Sequence, residues 1–339
     1  MKLGLQLGYW GAQPPENHAE LVAAAEEAEF DTVFTAEAWG SDAFTPLAWW
    51  GRETTRMRLG TSVVQLSART PTACAMASLT LDHLSGGRHI LGLGVSGPQV
   101  VEGWYGAKFP KPLARTREYV DVIRAGVGAP GAGDQRRAAL PLPLTGEGTT
   151  GLGKALKTDH PPAARRHPDH ARRRGPKNVA LTAEIADGWL PIFYSPRIAP
   201  MYNEWLDEGF ARPGARRSRE DFEICATAQV VVTDDRPAIM ELMKPHLALY
   251  MGGMGPRTPT STPRSTAGWD IRRLSTTSPA FRTDRKDEAA KVIPTNSSTT
   301  PRSSATSTTS GIVGEAAGVT MMVVGARSVE QINDPAELV

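Results

Sequence analysis

The stretch Leu81-Asp-His-Leu-Ser-Gly-Gly-Arg-His-Ile-Leu-Gly-Leu-Gly-Val95 decides the fold class. Its first half continues a helical pattern that ends at Gly86 and Gly87, because glycine tolerates the positive φ often found just after a helix. Its second half is a nearly continuous apolar run, which is typical of a parallel strand covered on both faces. Within that run, Gly92 and Gly94 leave room for a ligand or a neighbouring backbone. The stretch therefore predicts one helix-to-strand unit of an α/β protein.

The chain on both sides of this unit repeats the same alternation. Thr70 before Pro71 marks a helix start, since a threonine cap and a proline in the first turn are both common there. The patterns predict strands at 2–9, 31–36, 58–65, 88–95, 188–194, 222–233 and 319–325, and helices at 17–29, 45–55, 71–84, 113–125, 176–186, 197–209, 236–250 and from Ser328. Repeated units of this size form either a closed barrel or an open doubly wound sheet.

Composition indicates an ordinary enzyme rather than a nucleic-acid or membrane protein. The 339 residues carry a formal net charge of +2 and are 40% hydrophobic, which gives no reason to expect a nucleic-acid partner. No apolar run approaches the roughly 18 residues that span a bilayer, and the first ten residues do not resemble a signal peptide. Cys74 and Cys225 lie in apolar surroundings and predict buried, reduced thiols. We therefore expect a cytoplasmic protein that does not bind membranes.

Three segments interrupt the pattern and predict irregular or disordered chain: residues 125–140, 158–174 and 256–310. The first is rich in Gly, Ala and Arg, the second in Arg, His and Pro, and the third in Ser, Thr, Pro and Arg. Such compositions bury too little apolar surface to offset the entropy of ordering. We interpret the three blocks as the product of compensating frameshifts in a GC-rich reading frame.

The unit described first, together with Arg58-Leu-Gly-Thr-Ser-Val-Val64, resembles the bacterial luciferase-like superfamily. Within it, the chain is most similar to actinobacterial oxidoreductases that use coenzyme F420. Further matching stretches are Lys2–Trp10, Asp31–Trp39, Gly175–Pro191 and Val319–Gly325. The resemblance implies a (β/α)8 TIM barrel formed by residues 1–339 as one domain, with its site at the carboxyl ends of the strands, and a homodimer. Relatives have an apolar fifth strand where residues 163–174 of this chain are rich in basic residues, so we expect the fifth strand to be disrupted. We expect the same of residues 256–310.

The resemblance also implies a set of cofactor-binding residues. Ser62 and Val63 match a bulge at the end of the third strand, where the family places a non-prolyl cis peptide against the ring. Gly94, Ser96 and Gly97 match the end of the fourth strand, beside the cofactor tail. Gly175, Lys177 and Asn178 match a phosphate-binding turn at a helix start, where free N–H groups and the helix dipole suit an anion; ordinary helix capping is the alternative reading of that turn.

Two residues are candidates for a catalytic role. The second strand of several relatives ends in an acidic residue followed by a histidine that serves at the ring, and here the text is Thr35-Ala-Glu-Ala-Trp39. Glu37 is therefore present as a base or an orienting group, whereas Ala38 stands where the histidine would be. Trp39 is expected to wall the pocket; a purely structural role remains open for both Glu37 and Trp39.

The resulting functional prediction is a coenzyme F420-dependent oxidoreductase that transfers a hydride between the deazaflavin and a small organic substrate. If the protein is an enzyme of another kind, the alternative is a monooxygenase with the same barrel that uses the flavin FMN. The alternative to an enzyme is a degenerate product without activity. The predicted disruption of the fifth strand favours it, as does Ala38 at the position of the family's histidine. No metal site is predicted, because His160, His167 and His170 stand among arginines and prolines without a ligand spacing.

Overall fold

The computed structural model describes residues 1–11, 13–128, 142, 146–150, 152, 169–172, 175–192, 194, 196–228, 241, 244 and 317–333. Strands are β1 Lys2–Gly8, β2 Thr32–Thr35, β3 Arg58–Thr61, β4 Val64–Gln65, β5 His89–Gly94, β6 Asp169–Arg172, β7 Gly188–Trp189, β8 Glu223–Ala228 and β9 Met321–Val324. Helices are α1 His18–Glu27, α2 Phe44–Gly51, α3 Pro71–Leu84, α4 Pro98–Gly103, α5 Pro112–Gly128, α6 Pro176–Ile185, α7 Ala199–Phe210 and α8 Val329–Asn333, with a 3-10 turn at Pro196–Ile198. The predicted segment 256–310 and nearly all of the predicted helix 236–250 lie outside the described residues.

The strands form a closed ring of parallel pairs. Their order is β3-β2-β1-β9-β8-β7-β6-β5, and β5 also pairs with β3. Because β4 continues β3 after an interruption at Ser62 and Val63, the described strand segments make eight barrel strands. The helices alternate with the strands along the chain, and the predicted (β/α)8 TIM barrel is confirmed.

The expectation of a disrupted fifth strand is wrong at residues 169–172, where β6 occupies that place, whereas residues 158–168 and 173–174 lie outside the described residues. The four residues of β6 pair with Leu91 to Gly94 of β5 on one side, and His170 and Ala171 pair with β7 on the other. Parallel pairing uses backbone N–H and C=O groups, so two flanking strands can hold a polar sequence that has no apolar pattern of its own. The first predicted irregular segment is also partly corrected, since α5 continues through Gly128.

Side-chain alternation along the strands separates two cores. Leu5, Val33, Leu59 and Leu91 face outward and pack in the layer between sheet and helices. The inward residues form the barrel interior, a cluster of Phe34, Val63, Leu190, Cys225, Met321 and Val323. The interior is thus filled by side chains, as expected for a barrel of eight strands. Cys74 and Cys225 are buried free thiols, as predicted.

A charged cluster closes the end of the barrel where the strands begin. Arg58 Nη1 lies 3.0 Å from Glu223 Oε2, Arg58 Nε donates to Asp31 Oδ1 at 2.7 Å, and Lys2 Nζ lies 2.8 Å from Glu223 Oε1. Burial would lower the pKa of Arg58, but Glu223 and Asp31 raise it above the ordinary value. This end is therefore occupied by paired charges, which leaves the opposite end, where the strands finish, as the place for a site.

Candidate active site

Four neighbouring strands bring the predicted site residues to one edge of the barrel, which we call the mouth: the carboxyl ends of β2, β3/β4, β5 and β6. The pairings β2–β3, β3–β5 and β5–β6 make these strand ends consecutive around the ring. Glu37 follows β2, Ser62 and Val63 follow β3, and Gly94 ends β5. Gly94 is in register with Arg172 of β6, so the start of α6 lies beside it.

The bulge between β3 and β4 has the shape that the resemblance implied. The peptide bond between Ser62 and Val63 is cis. Ser62 N donates to Thr35 O at 2.6 Å, and Glu37 N donates to Val63 O at 3.2 Å, so β2 holds both residues. Gly94 is required on the other side, because a β-carbon there would lie 2.5 Å from Val63 Cγ2. The bulge is therefore fixed between two strands, with both of its residues buried.

The chain after β5 turns sharply at the mouth. Ser96 has a φ of +57°, in the left-handed region that non-glycine residues seldom adopt. Gly97 follows it as the N-cap of α4. Such backbone conformations are frequent where a chain must approach a ligand, so Ser96 and Gly97 stay candidates for contact with a cofactor tail.

The start of α6 has the features of an anion site. Gly175 has a φ of +85°, and a β-carbon added there would meet no atom of the described residues within 4 Å. Pro176 opens the ten-residue helix and Lys177 is exposed beside it. The amide N–H groups of a helix's first turn lack intrahelical partners, and the helix dipole adds positive potential. Asn178 N is committed to Gly175 O at 3.1 Å, which tightens the turn.

Glu37 is buried and bound on several sides. Its side chain is 5% exposed and forms a two-point ion pair with Arg69, with Nη1 to Oε2 at 3.0 Å and Nη2 to Oε1 at 3.2 Å. Gln65 N donates to Glu37 Oε2 at 3.2 Å, and Gln65 Nε2 donates to Glu37 O at 3.2 Å. Burial raises the pKa of the Glu37 carboxyl, and the Arg69 guanidinium opposes that shift. Both carboxylate oxygens are thus engaged by neighbours.

Sequence reasoning missed Arg69, Gln65 and Tyr105, which surround Glu37. Arg69 also stacks on Phe44, with its Cζ 5.1 Å from the ring centroid. Tyr105 lies close enough that burial and the charge of Glu37 both raise its pKa. The available signal was an arginine in the loop between a mouth strand and a helix start. Its contact with Glu37, however, depends on the pairing of β2 with β3, which the local sequence does not show.

Trp39 lies on the rim rather than inside the mouth. Its side chain is 47% exposed, and its ring centroid lies 6.1 Å from that of Tyr9, which follows β1. The two rings form an aromatic border at the ends of β1 and β2.

The described residues contain neither a candidate metal site nor a helix that could cross a membrane. In that part of the chain, no group of three or more His, Cys, Asp or Glu side chains is arranged to hold a metal ion. None of the helices described is both long and apolar enough to cross a bilayer. His160 and His167 lie outside the described residues.

Comparison with known families decides the relationship. Residues 4–319 match the model of the luciferase-like monooxygenase family. The chain belongs to this family. The luciferase-like resemblance inferred from residues 81–95 and 58–64 is therefore confirmed. The strand β3/β4, which the Ser62–Val63 bulge interrupts, lies in a barrel of the expected type.

Relatives of this luciferase-like chain are oxidoreductases. A Mycobacterium tuberculosis protein, provisionally named a coenzyme F420-dependent oxidoreductase, is 66% identical over 349 residues that cover 100% of this chain and 99% of that protein. The solved F420-dependent tetrahydromethanopterin reductase of Methanopyrus kandleri has a TM-score of 0.71 at 19% identity, covering 98% of this chain and 96% of its own. An F420-dependent secondary alcohol dehydrogenase, solved with an F420–acetone adduct, has a TM-score of 0.67 at 16% identity, covering 100% and 97%. At these identities the two structures support the fold.

Proposed function

We propose that this luciferase-like enzyme is a coenzyme F420-dependent oxidoreductase that transfers a hydride between the deazaflavin and a small organic substrate. The observation that carries the proposal is the juxtaposition at the mouth of the fixed Ser62–Val63 bulge and the anion-suited start of α6. The mycobacterial relative at 66% identity supports the choice of F420. A homodimer stays part of the proposal.

The residues present fit a ring with a phosphate-bearing tail. At Gly8, Gly11 and Gly175 an added β-carbon would meet no atom of the described residues within 4 Å, so that part of the chain leaves room in the mouth beside β1 and β6. The turn from Gly175 to Asn178 offers the backbone N–H and the ammonium of Lys177 to an anion, whereas Pro176 has no N–H and Asn178 N already donates to Gly175 O. A flat ring and an anionic tail thus have separate, adjacent surfaces.

Each element of the mouth has a defined task in this proposal. Ser62 and Val63 form the wall against the ring, and Gly94, Ser96 and Gly97 let the backbone of β5 approach it. Gly175, Lys177 and Asn178 hold the tail phosphate. Glu37 orients the bulge, since its carboxylate oxygens are already bound, and Trp39 with Tyr9 borders the substrate entrance. When bound, the deazaflavin supplies the hydride chemistry, while the protein positions the ring and excludes water.

Titration with each cofactor tests the proposal. The purified full-length chain is titrated separately with F420 and with FMN, and ligand fluorescence is followed together with the thermal unfolding temperature. Saturable F420 binding is expected, with FMN weak or absent, and F420 at about 100 times its Kd should stabilise the fold by about 2.7 kcal/mol. FMN binding alone would replace the proposal by the FMN-dependent monooxygenase. Binding of neither ligand would favour the non-functional product.

A further inference from the structure

The ion pair between Glu37 and Arg69 joins the parts of the mouth that form the bulge wall. The backbone N–H of Glu37 donates to Val63 O. The Glu37 carboxylate accepts a hydrogen bond from Gln65 N, and the Glu37 backbone carbonyl accepts one from Gln65 Nε2. These three contacts hold both ends of the bulge from Val63 to Gln65. The contact with Gln65 N is the one that the Glu37 side chain makes, so the β4 side of the bulge depends on where that side chain is held.

Arg69 holds that side chain and is itself held by two helices, α2 and α5. Its guanidinium forms the two-point contact with Glu37 and stacks on Phe44 of α2. Its backbone carbonyl accepts the Tyr119 hydroxyl of α5 at 3.1 Å. An arginine fork matches a carboxylate in both position and orientation, which a lysine point charge does not.

We propose that Arg69 is a positioning residue which, through Glu37, fixes the Ser62–Val63–Gln65 bulge in the conformation that receives the cofactor ring. The inference rests on the proposed function and adds to it a residue whose own side chain points at Glu37 rather than at the ring. It also separates the two roles considered for Glu37, since a carboxylate committed to Arg69 and Gln65 orients the wall and does not act as a base.

The electrostatic surroundings of Glu37 supply a specific signature. Besides Arg69, the ionisable groups that influence its carboxyl are Asp42 before α2, Tyr105 after α4 and Tyr119 on α5. Burial and Asp42 both raise the pKa of Glu37, and Arg69 is the cation that opposes them. Without Arg69 that pKa rises further. Glu37 is then neutral at low pH and becomes a buried, unpaired anion as the pH increases, which is a costly state.

The test compares F420 affinity across pH for matched variants. Arg69→Met should bind F420 more weakly than the wild type, because Glu37 loses its two-point contact, and the loss should grow from about 3-fold to about 10-fold as the pH rises and the Glu37 carboxyl ionises without a partner. The wild type should show no such pH dependence. Glu37→Gln/Arg69→Met, which carries no titrating carboxyl, should bind independently of pH. Arg52→Met removes an exposed arginine paired with Glu53 and serves as the control, with wild-type affinity and pH profile.

Rescue by a conservative change completes the design. Arg69→Lys keeps the positive charge and loses the fork, so its affinity should fall less than about 3-fold and without pH dependence. If Arg69→Met does not fold, Arg69→Lys replaces it in the test. A pH-dependent loss of F420 affinity in Arg69→Lys would then contradict the proposal. The proposal would be overturned if Arg69→Met bound F420 with unchanged affinity. It would also be overturned if Arg69→Met lost the same affinity at every pH and the added Glu37→Gln change did not alter that loss. Failure of the wild type to bind F420 would instead reject the proposed function.

Discussion

At the scale of single residues, the mouth relies on backbone conformations that only particular residues adopt easily. Gly175 is the clearest example, because its φ of +85° precedes the helix that we assign to the cofactor phosphate. A β-carbon at this position would meet no atom within 4 Å in the part of the chain that the structure describes, so we attribute the effect of a substitution to the backbone.

We expect Gly175→Ala to lower the free energy of unfolding by about 1–3 kcal/mol, because its φ of +85° and ψ of 151° lie in a backbone region almost restricted to glycine, and to weaken F420 binding by shifting the first turn of α6. Denaturant unfolding and F420 titration measure the two effects. Gly214→Ala is a matched control, since Gly214 has a φ of +83° and equally open space in the loop between α7 and β8. It should lose similar stability and keep its affinity. Equal affinity losses in both variants would contradict the assignment of the anion site.

The sequence pattern identified most of the mouth residues but not their connections. Gly92 and Gly94 were recognisable as glycines in an apolar strand, and the bulge at Ser62 and Val63 followed from the family resemblance. Arg69 was missed because its partner is distant along the chain, and only the pairing of β2 with β3 brings the two loops together. Assigned roles for individual cofactor-binding residues stay predictions.

At the scale of elements, a single acidic side chain connects α1 to the chain that enters β3. Glu26 Oε1 accepts from the backbone N–H groups of Thr55 at 3.0 Å and Arg56 at 2.8 Å, and Oε2 accepts from Met57 N at 2.9 Å. Burial raises the pKa of Glu26, but the hydrogen bonds outweigh it and lower the pKa to about 2.

A pH-dependent contribution to stability follows from Glu26. Since its folded pKa lies below the ordinary value of 4.5, the contribution is complete above about pH 4.5 and is lost as the pH falls towards about 2. Glu26→Gln should lose about 1–3 kcal/mol at neutral pH, because an amide group leaves a backbone donor unpaired, and should lack this acid-dependent part. Denaturant unfolding at a series of pH values measures both. The exposed neighbour Glu27 provides the control Glu27→Gln; identical acid profiles for wild type and Glu26→Gln would contradict the prediction.

Element boundaries show where pattern reading succeeds and where it fails. The strand predicted at 88–95 and the helix at 71–84 match β5 and α3, because apolar content and the Thr70–Pro71 start act locally. The strand at 58–65 is interrupted by the bulge, and β6 was missed because a polar sequence gives no strand pattern. Both features are imposed by neighbouring strands.

At the scale of the whole molecule, closure of the ring between β3 and β5 sets the geometry of the site. It places the bulge, the end of β5 and the start of α6 side by side, while the paired charges of Lys2, Arg58 and Glu223 occupy the opposite end. The frameshift interpretation of segments 125–140, 158–174 and 256–310 stays a prediction about the gene, which resequencing would test.

The most direct test of the central claim is an experimental structure of the full chain with F420 bound. The account predicts the deazaflavin ring against Ser62 and Val63, with the tail phosphate at the turn from Gly175 to Asn178 and near Lys177. Glu37 should remain paired with Arg69 behind the bulge. Density for the ring elsewhere, or a phosphate bound away from the start of α6, would contradict the account.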